Sequence, residues 1–197
     1  MGKIFCIMGK SASGKDSVYR ALISDPSLDL KPVIIYTTRP MRAGETDGVQ
    51  YRFTDEAGLA AMRAAGRVIE SRTYMTEKGP WTYFTADDGQ IDPASGSYLL
   101  IGTLESYAGL LAYYGPEVMV PVYIEADGGE RLRRSIERES AQQSPCWAEL
   151  CRRYLADEED FSDEKLEAAG IRGSFVNDDL DTCLAAVRAF IAETNVL

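Results

Sequence analysis

Histidine is absent from all 197 positions, and that one gap removes several kinds of chemistry. Ser-His-Asp and Cys-His catalysis both need an imidazole as base, so neither can be assembled here. Histidine-held metal centres fall with them. Cysteine is scarce as well. Cys6, Cys146, Cys151 and Cys183 are scattered, none forms a Cys-x-x-Cys pair, and no zinc site is expected. They read as reduced thiols of a cytosolic chain. Positive charge is in deficit: 21 Lys and Arg against 31 Asp and Glu give a formal net charge of −10. Nucleic-acid binding draws on a basic face, so no nucleic-acid partner is expected. Long apolar runs are missing too. No stretch reaches the ~18 residues that would suggest a membrane span. The first strand opens almost at the N-terminus, leaving no room for a signal peptide, and a cytoplasmic location follows as the expectation.

What is present is a chain 45% hydrophobic, able to bury one good core. Behind the apolar run Ile4-Phe5-Cys6-Ile7 comes Met8-Gly-Lys-Ser-Ala-Ser-Gly-Lys-Asp-Ser17. Gly9 and Gly14 bracket Lys10, Ser11, Ala12 and Ser13, and Lys15 follows, which is the spacing of a phosphate loop. Glycines let the backbone curl so that successive N–H groups face phosphate oxygens, and the next helix adds its positive dipole end. Lys15 supplies a point charge to the outer phosphates. The implied ligand is a nucleoside triphosphate. Asp16 stands where a Ser or Thr normally offers a hydroxyl to Mg²⁺; either Ser17 serves instead, or a water bridges. A phosphate nucleophile is already anionic, so phosphoryl transfer needs no histidine. The arginines gather in two groups, Arg39 with Arg42, and Arg131, Arg133, Arg134 and Arg138 with Arg152 and Arg153. Such local positive clusters on an acidic chain suit small, highly charged anions.

Periodicity predicts strands at about 3–8, 32–36, 51–53, 68–70, 81–85, 97–101, 118–124 and 174–176. Helices are predicted at 15–24, from 54 onward, and at 103–114, 128–139, 147–160 and 181–193. Alternating strands and helices imply an α/β fold, its parallel sheet covered on both faces.

The segment Thr37-Thr-Arg-Pro-Met-Arg-Ala-Gly-Glu-Thr-Asp-Gly-Val-Gln-Tyr51 resembles the GMP-binding signature of guanylate kinases. Val68-Ile-Glu70, Arg134-Ser-Ile-Glu-Arg138 and Val176-Asn-Asp-Asp-Leu-Asp181 match in order, so the resemblance covers nearly the whole chain. It implies a three-layer P-loop NTPase fold with a parallel core sheet, a small mixed or antiparallel GMP-binding subdomain and a helical lid. The core would comprise 1–34, 97–127 and 170–197, the monophosphate-binding part about 35–96, and the lid about 128–160. By resemblance, Arg39, Arg42 and Tyr51 clamp the monophosphate, and Glu45 orients an arginine. Glu70 takes guanine N1–H and N2–H. Tyr83 is a second phosphate phenol, and Thr85 lies near O6. Arg134, Arg138 and Arg153 close over the triphosphate, with Arg152 as a substitute for Arg153. Asn177 either lines the adenine pocket or caps a turn. Asp16 and Ser17 would hold the Mg²⁺.

The implied reaction is ATP-dependent phosphorylation of GMP, and possibly dGMP, by a monomer or homodimer whose partners are small-molecule nucleotides. The chain also departs from the family pattern. The strand that normally ends in Asp-x-Asp ends here in Gly102-Thr-Leu104, and Ile35 stands where the family often has serine. These departures keep two alternatives open: another phosphorylated acceptor, such as a sugar phosphate, or a weakened binding module.

Overall fold

The computed structural model describes residues 1–76 and 79–196. In chain order the elements are β1 (Ile4–Met8), α1 (Lys15–Ile23), β2 (Leu30–Pro32), β3 (Tyr36–Thr37), β4 (Arg52–Phe53), α2 (Glu56–Ala64), β5 (Val68–Thr76), β6 (Gly79–Ala86), β7 (Ser97–Ile101), α3 (Leu104–Tyr114), β8 (Met119–Glu125), α4 (Gly128–Ser140), α5 (Trp147–Asp160), α6 (Asp163–Ala168), β9 (Phe175–Val176) and α7 (Leu180–Val196).

β1 is the centre of a five-stranded sheet in the order β2-β7-β1-β8-β9, all parallel. A strand buried on both faces reads as an unbroken apolar run, and Ile4-Phe5-Cys6-Ile7-Met8 is one. Because side chains alternate along a strand, Phe5 and Ile7 join one apolar cluster with Val18, Leu22, Val187 and Ile191 from α1 and α7. Ile4, Cys6 and Met8 join the other, with Tyr107 and Leu110 from α3. The sheet is thereby fixed between helices, and the loop after β1 emerges at the carboxyl edge of its central strand.

A second sheet, β4-β3-β6-β5, is mixed: β3 runs parallel to β4 and antiparallel to β6, and β5 pairs antiparallel with β6. Its own small core is Tyr36, Leu59, Phe84 and Ala86, with the Tyr36 and Phe84 rings stacked 5.0 Å apart. The single strand expected at 32–36 is divided between the two sheets. Leu30–Pro32 pairs with β7, and Tyr36–Thr37 pairs in the other sheet. Residues 33–35 are the crossing, which an apolar run alone does not reveal. Strands β5 and β6 are longer than expected; residues 77 and 78, between them in sequence, lie outside the described residues. Ala65 is exposed at the C-cap of α2. The short α6 was not expected. No helix among the described residues is long and apolar enough to cross a membrane.

Candidate functional site

The loop Gly9–Lys15 runs from the end of β1 into α1. Gly14 has φ 88°, a left-handed conformation, and a Cβ there would lie 2.0 Å from the Asn177 amide nitrogen. Both facts demand glycine. Asn177 is buried and donates its side-chain amide to the Ser13 carbonyl at 2.7 Å. That bond props the loop from behind. Ser13 Oγ is buried with no partner in the structure. Ala12 is also left-handed, φ 61°, a conformation stored in the turn rather than favoured by alanine. Lys15 opens α1, its ammonium 3.9 Å from the exposed Asp16 carboxylate.

The front half of the loop is tied to the helices that follow β8. Ser11 N–H donates to Asp157 at 2.6 Å, and Lys10 Nζ meets Glu158 at 2.6 Å. Arg131, buried, donates from Nε to the Ser11 carbonyl at 3.1 Å and from Nη1 to Glu158 at 2.6 Å, with its guanidinium over the Tyr154 ring. Sequence reading placed Arg131 in a basic cluster without giving it a role. Its signal was available, because it falls one helical turn before Ser135 on a face that is otherwise buried.

The second group of candidate site residues, Arg39, Arg42, Glu45 and Tyr51, meets through side chains. Arg39 is 3% exposed and forks onto Glu45 with contacts of 2.8 and 2.6 Å. Glu45 also accepts the Arg42 N–H at 2.7 Å, so one carboxylate organises the whole turn. These hydrogen bonds hold the Glu45 carboxyl down to about 2 and raise the Arg39 guanidinium above its usual value. The Arg39 guanidinium lies 4.9 Å from the centroid of the Tyr51 ring and 5.4 Å from that of Phe53, and Tyr51 meets Tyr83 edge-on at 5.6 Å. Arg42 itself is exposed.

Between the loop and this group lies a cavity of about 990 Å³, onto which Lys15, Tyr51, Tyr83, Arg72, Gly102 and Arg152 all open. Arg39 does not open onto it directly; its partners Tyr51 and Tyr83 do. Beside the cavity-lining Arg72, and buried with it, is Glu70. Thr85 donates its hydroxyl to Glu70 Oε1 at 2.7 Å, and Arg72 Nη1 lies 3.6 Å from Oε2. Burial pushes the Glu70 carboxyl above the ordinary carboxylate range, against the opposing pull of Arg72 and of the Thr85 hydrogen bond. Arg72 was not foreseen as a site residue. Gly102 explains why the strand end carries no carboxylate: a Cβ there would meet Cys6 Sγ at 2.6 Å and Ser106 Oγ at 2.7 Å.

The arginines expected to close the site are not equivalent. Arg134 reaches the loop, donating to the Ala12 carbonyl at 3.5 Å and to the Asn177 carbonyl at 3.2 Å. Arg138 is exposed on α4. Arg153 is held 3.8 Å from Glu139 and 3.7 Å from Glu149. Arg152, weighed as its substitute, is the one that opens onto the cavity, with its guanidinium forked onto Glu149 at 2.7 Å.

A phosphate-loop-type turn at the carboxyl end of a central parallel strand, with a second, mixed sheet beside it, defines an α/β protein of P-loop type. A family model described as guanylate kinase matches residues 1–78. A guanylate kinase of Bordetella pertussis is 46% identical over 70 residues, 35% of this chain and 32% of the relative. A guanylate kinase of Symbiobacterium thermophilum is 28% identical over 193 residues, 96% of this chain and 84% of the relative. The crystal structure of guanylate kinase from Anaplasma phagocytophilum superposes with TM-score 0.69 at 16% identity, covering all of this chain and 87% of that one. On these findings the chain is similar to guanylate kinases, in sequence most strongly within residues 1–78 and in fold along its whole length. The chain covers only about a third of the length of the relatives it matches at 46% identity, and the family-model match contains the segments 9–15 and 37–51.

Proposed function

We propose that the protein transfers the terminal phosphoryl group of ATP to GMP, giving ADP and GDP. The observation that carries this reading is the pair of opposed cradles across one cavity, with Lys15 on one wall and Tyr51 and Tyr83, backed by Arg39, on the other. Loop amides and the N-terminal end of α1 would hold the donor's phosphates. Lys15 would neutralise charge on the phosphoryl group in flight, and Arg134 and Arg138 would add to that cage on closure. The acceptor is a phosphate oxygen that is already anionic, so positioning replaces general-base catalysis. Glu70 supports guanine as the base: its Oε2 is buried and without a hydrogen-bond partner, an acceptor matched to N1–H and N2–H.

Among the described residues no three Asp, Glu or Cys side chains gather to hold a metal by themselves. The donors at the loop are the Asp16 carboxylate and the Ser17 hydroxyl, hard oxygens that fit Mg²⁺ shared with nucleotide phosphates and water. Mg²⁺ would supply charge neutralisation on those phosphates. We assign residues 35–96 to acceptor binding, 128–160 to the lid, and the remainder to the core. A coupled assay across GMP, dGMP, AMP, CMP and UMP with ATP tests the reading. GMP should be the preferred acceptor, and no turnover with any monophosphate at millimolar concentration refutes it.

A further inference from the structure

Taking guanine as the acceptor's base, as proposed above, its edge must be matched atom by atom, and one atom lacks an evident donor. Glu70 offers acceptors to N1–H and N2–H. O6, next to N1 on the same edge, needs a donor close beside the Glu70 carboxylate. A hydroxyl at position 35 is ruled out because the residue is Ile35, and the strand end offers Gly102, whose N–H already donates to the Ile7 carbonyl at 2.9 Å. Thr85 does touch Glu70, but its hydroxyl proton is given to Oε1. The other side chain held against Glu70 is Arg72.

Several facts single out this arginine. It is 6% exposed, and so is the Glu70 side chain beside it. A buried guanidinium normally has its donors satisfied. Here Nη1 makes a long contact of 3.4 Å to the Thr103 hydroxyl, and Nε has no partner. The partnerless oxygen of Glu70 is Oε2, the one that Arg72 flanks. An under-used donor on the cavity wall and an acceptor without a hydrogen bond directly beside it therefore lie together, as O6 and N1–H lie together on guanine. We propose that Arg72 reads guanine O6, and that the Arg72–Glu70 pair sets base specificity in place of the missing strand-end carboxylates. The pair also rejects adenine. Its 6-amino group would face the guanidinium donor to donor, and its unprotonated N1 would face the carboxylate acceptor to acceptor.

The test is direct binding by calorimetry, independent of turnover, with GMP, 6-thio-GMP and IMP on the wild type and on Arg72→Ala. 6-Thio-GMP keeps N1–H and the 2-amino group but offers a weak acceptor at position 6. IMP keeps O6 and lacks only the 2-amino group, which belongs to Glu70. Wild-type protein should bind 6-thio-GMP about tenfold or more weaker than GMP, since one base contact is worth ~1–3 kcal/mol. Arg72→Ala should weaken GMP and IMP by the same factor while barely changing 6-thio-GMP. A purely orienting role, acting through Glu70, would instead weaken GMP and 6-thio-GMP by the same factor, because both keep N1–H and the 2-amino group; that pattern overturns the proposal. Equal wild-type affinity for GMP and 6-thio-GMP overturns it with no variant at all, so a poorly folding Arg72→Ala leaves it testable. Arg72→Lys, which keeps a donor, should restore part of the preference for oxygen. GMP binding with no coupling to position 6 removes only the role of Arg72. No GMP binding by the wild type removes the acceptor reading and this proposal together.

Discussion

The two proposed anion cradles are built on opposite principles. The phosphate loop is main chain: its charge is a set of amide dipoles fixed by left-handed turns, and its neighbours, Asn177 behind and Arg134 above, grip carbonyl oxygens of the loop. The clamp is side chain: its charge is a guanidinium, and one carboxylate, Glu45, freezes it by forking onto Arg39 and capturing the Arg42 N–H. A dipole cradle cannot be titrated away but fails if the backbone moves. A charge cradle tolerates backbone change but depends on the ionisation of its anchor.

The largest effect that sharpens this contrast is expected from Lys15→Ala. Removing the loop's one mobile charge should lower kcat on the order of 10³-fold, while calorimetry still detects GMP. A matching collapse of GMP affinity would show that the two cradles do not act independently. Next comes Glu45→Gln. Loss of a charged partner worth ~1.5–3 kcal/mol should raise the KM for GMP about 10- to 100-fold and leave ATP affinity unchanged, as titration calorimetry can show. Asn177→Ala leaves the Ser13 carbonyl buried and unpaired, a cost of ~1–3 kcal/mol, read as a lower urea midpoint together with weaker ATP binding. If unfolding is unaffected, the loop does not depend on this prop.

The mildest probe is pH. Glu45 has its folded value depressed, to about 2, so its contribution is complete above the ordinary 4.5 and is lost only as pH falls through about 2. Glu70 has its value raised by burial, so it neutralises at a higher pH than a free carboxylate and its ionised form is the strained one. On acidification the GMP-to-AMP preference should therefore decline before clamp affinity does. Ratios of KM for GMP and AMP measure this, because the phosphate's own titration cancels between them. A preference that is constant while both KM values rise would reverse the order.

Several features were legible because they are local. The loop spacing Gly9 to Lys15, the apolar run of β1, and the arginine pair with Glu45 all lie within a few residues of one another. Strand and helix positions followed from periodicity, including α3, whose Thr103 cap closes a reciprocal pair of bonds with Ser106. The crossing at 33–35 escaped, since an apolar run does not say which sheet claims its two ends. Arg72 escaped because a β5 arginine with alternating neighbours looks like a solvated strand residue; it becomes significant only when Glu70 and Thr103 flank it in a buried setting. Arg152 and Arg153 are adjacent in sequence, and only the setting of α5 gives one to the cavity and the other to Glu139.

The sequence by itself determined the chemistry on offer: no imidazole, a glycine-bracketed amide cradle with its lysine, and a carboxylate three residues after one arginine and six after another. Those depend on residue type and short spacing, which chain connectivity carries directly. Tertiary structure alone decided which buried charges meet beside the cavity and which loop carbonyls are propped. Such contacts join residues up to 164 positions apart, and their energies depend on burial and distance, which no local pattern encodes.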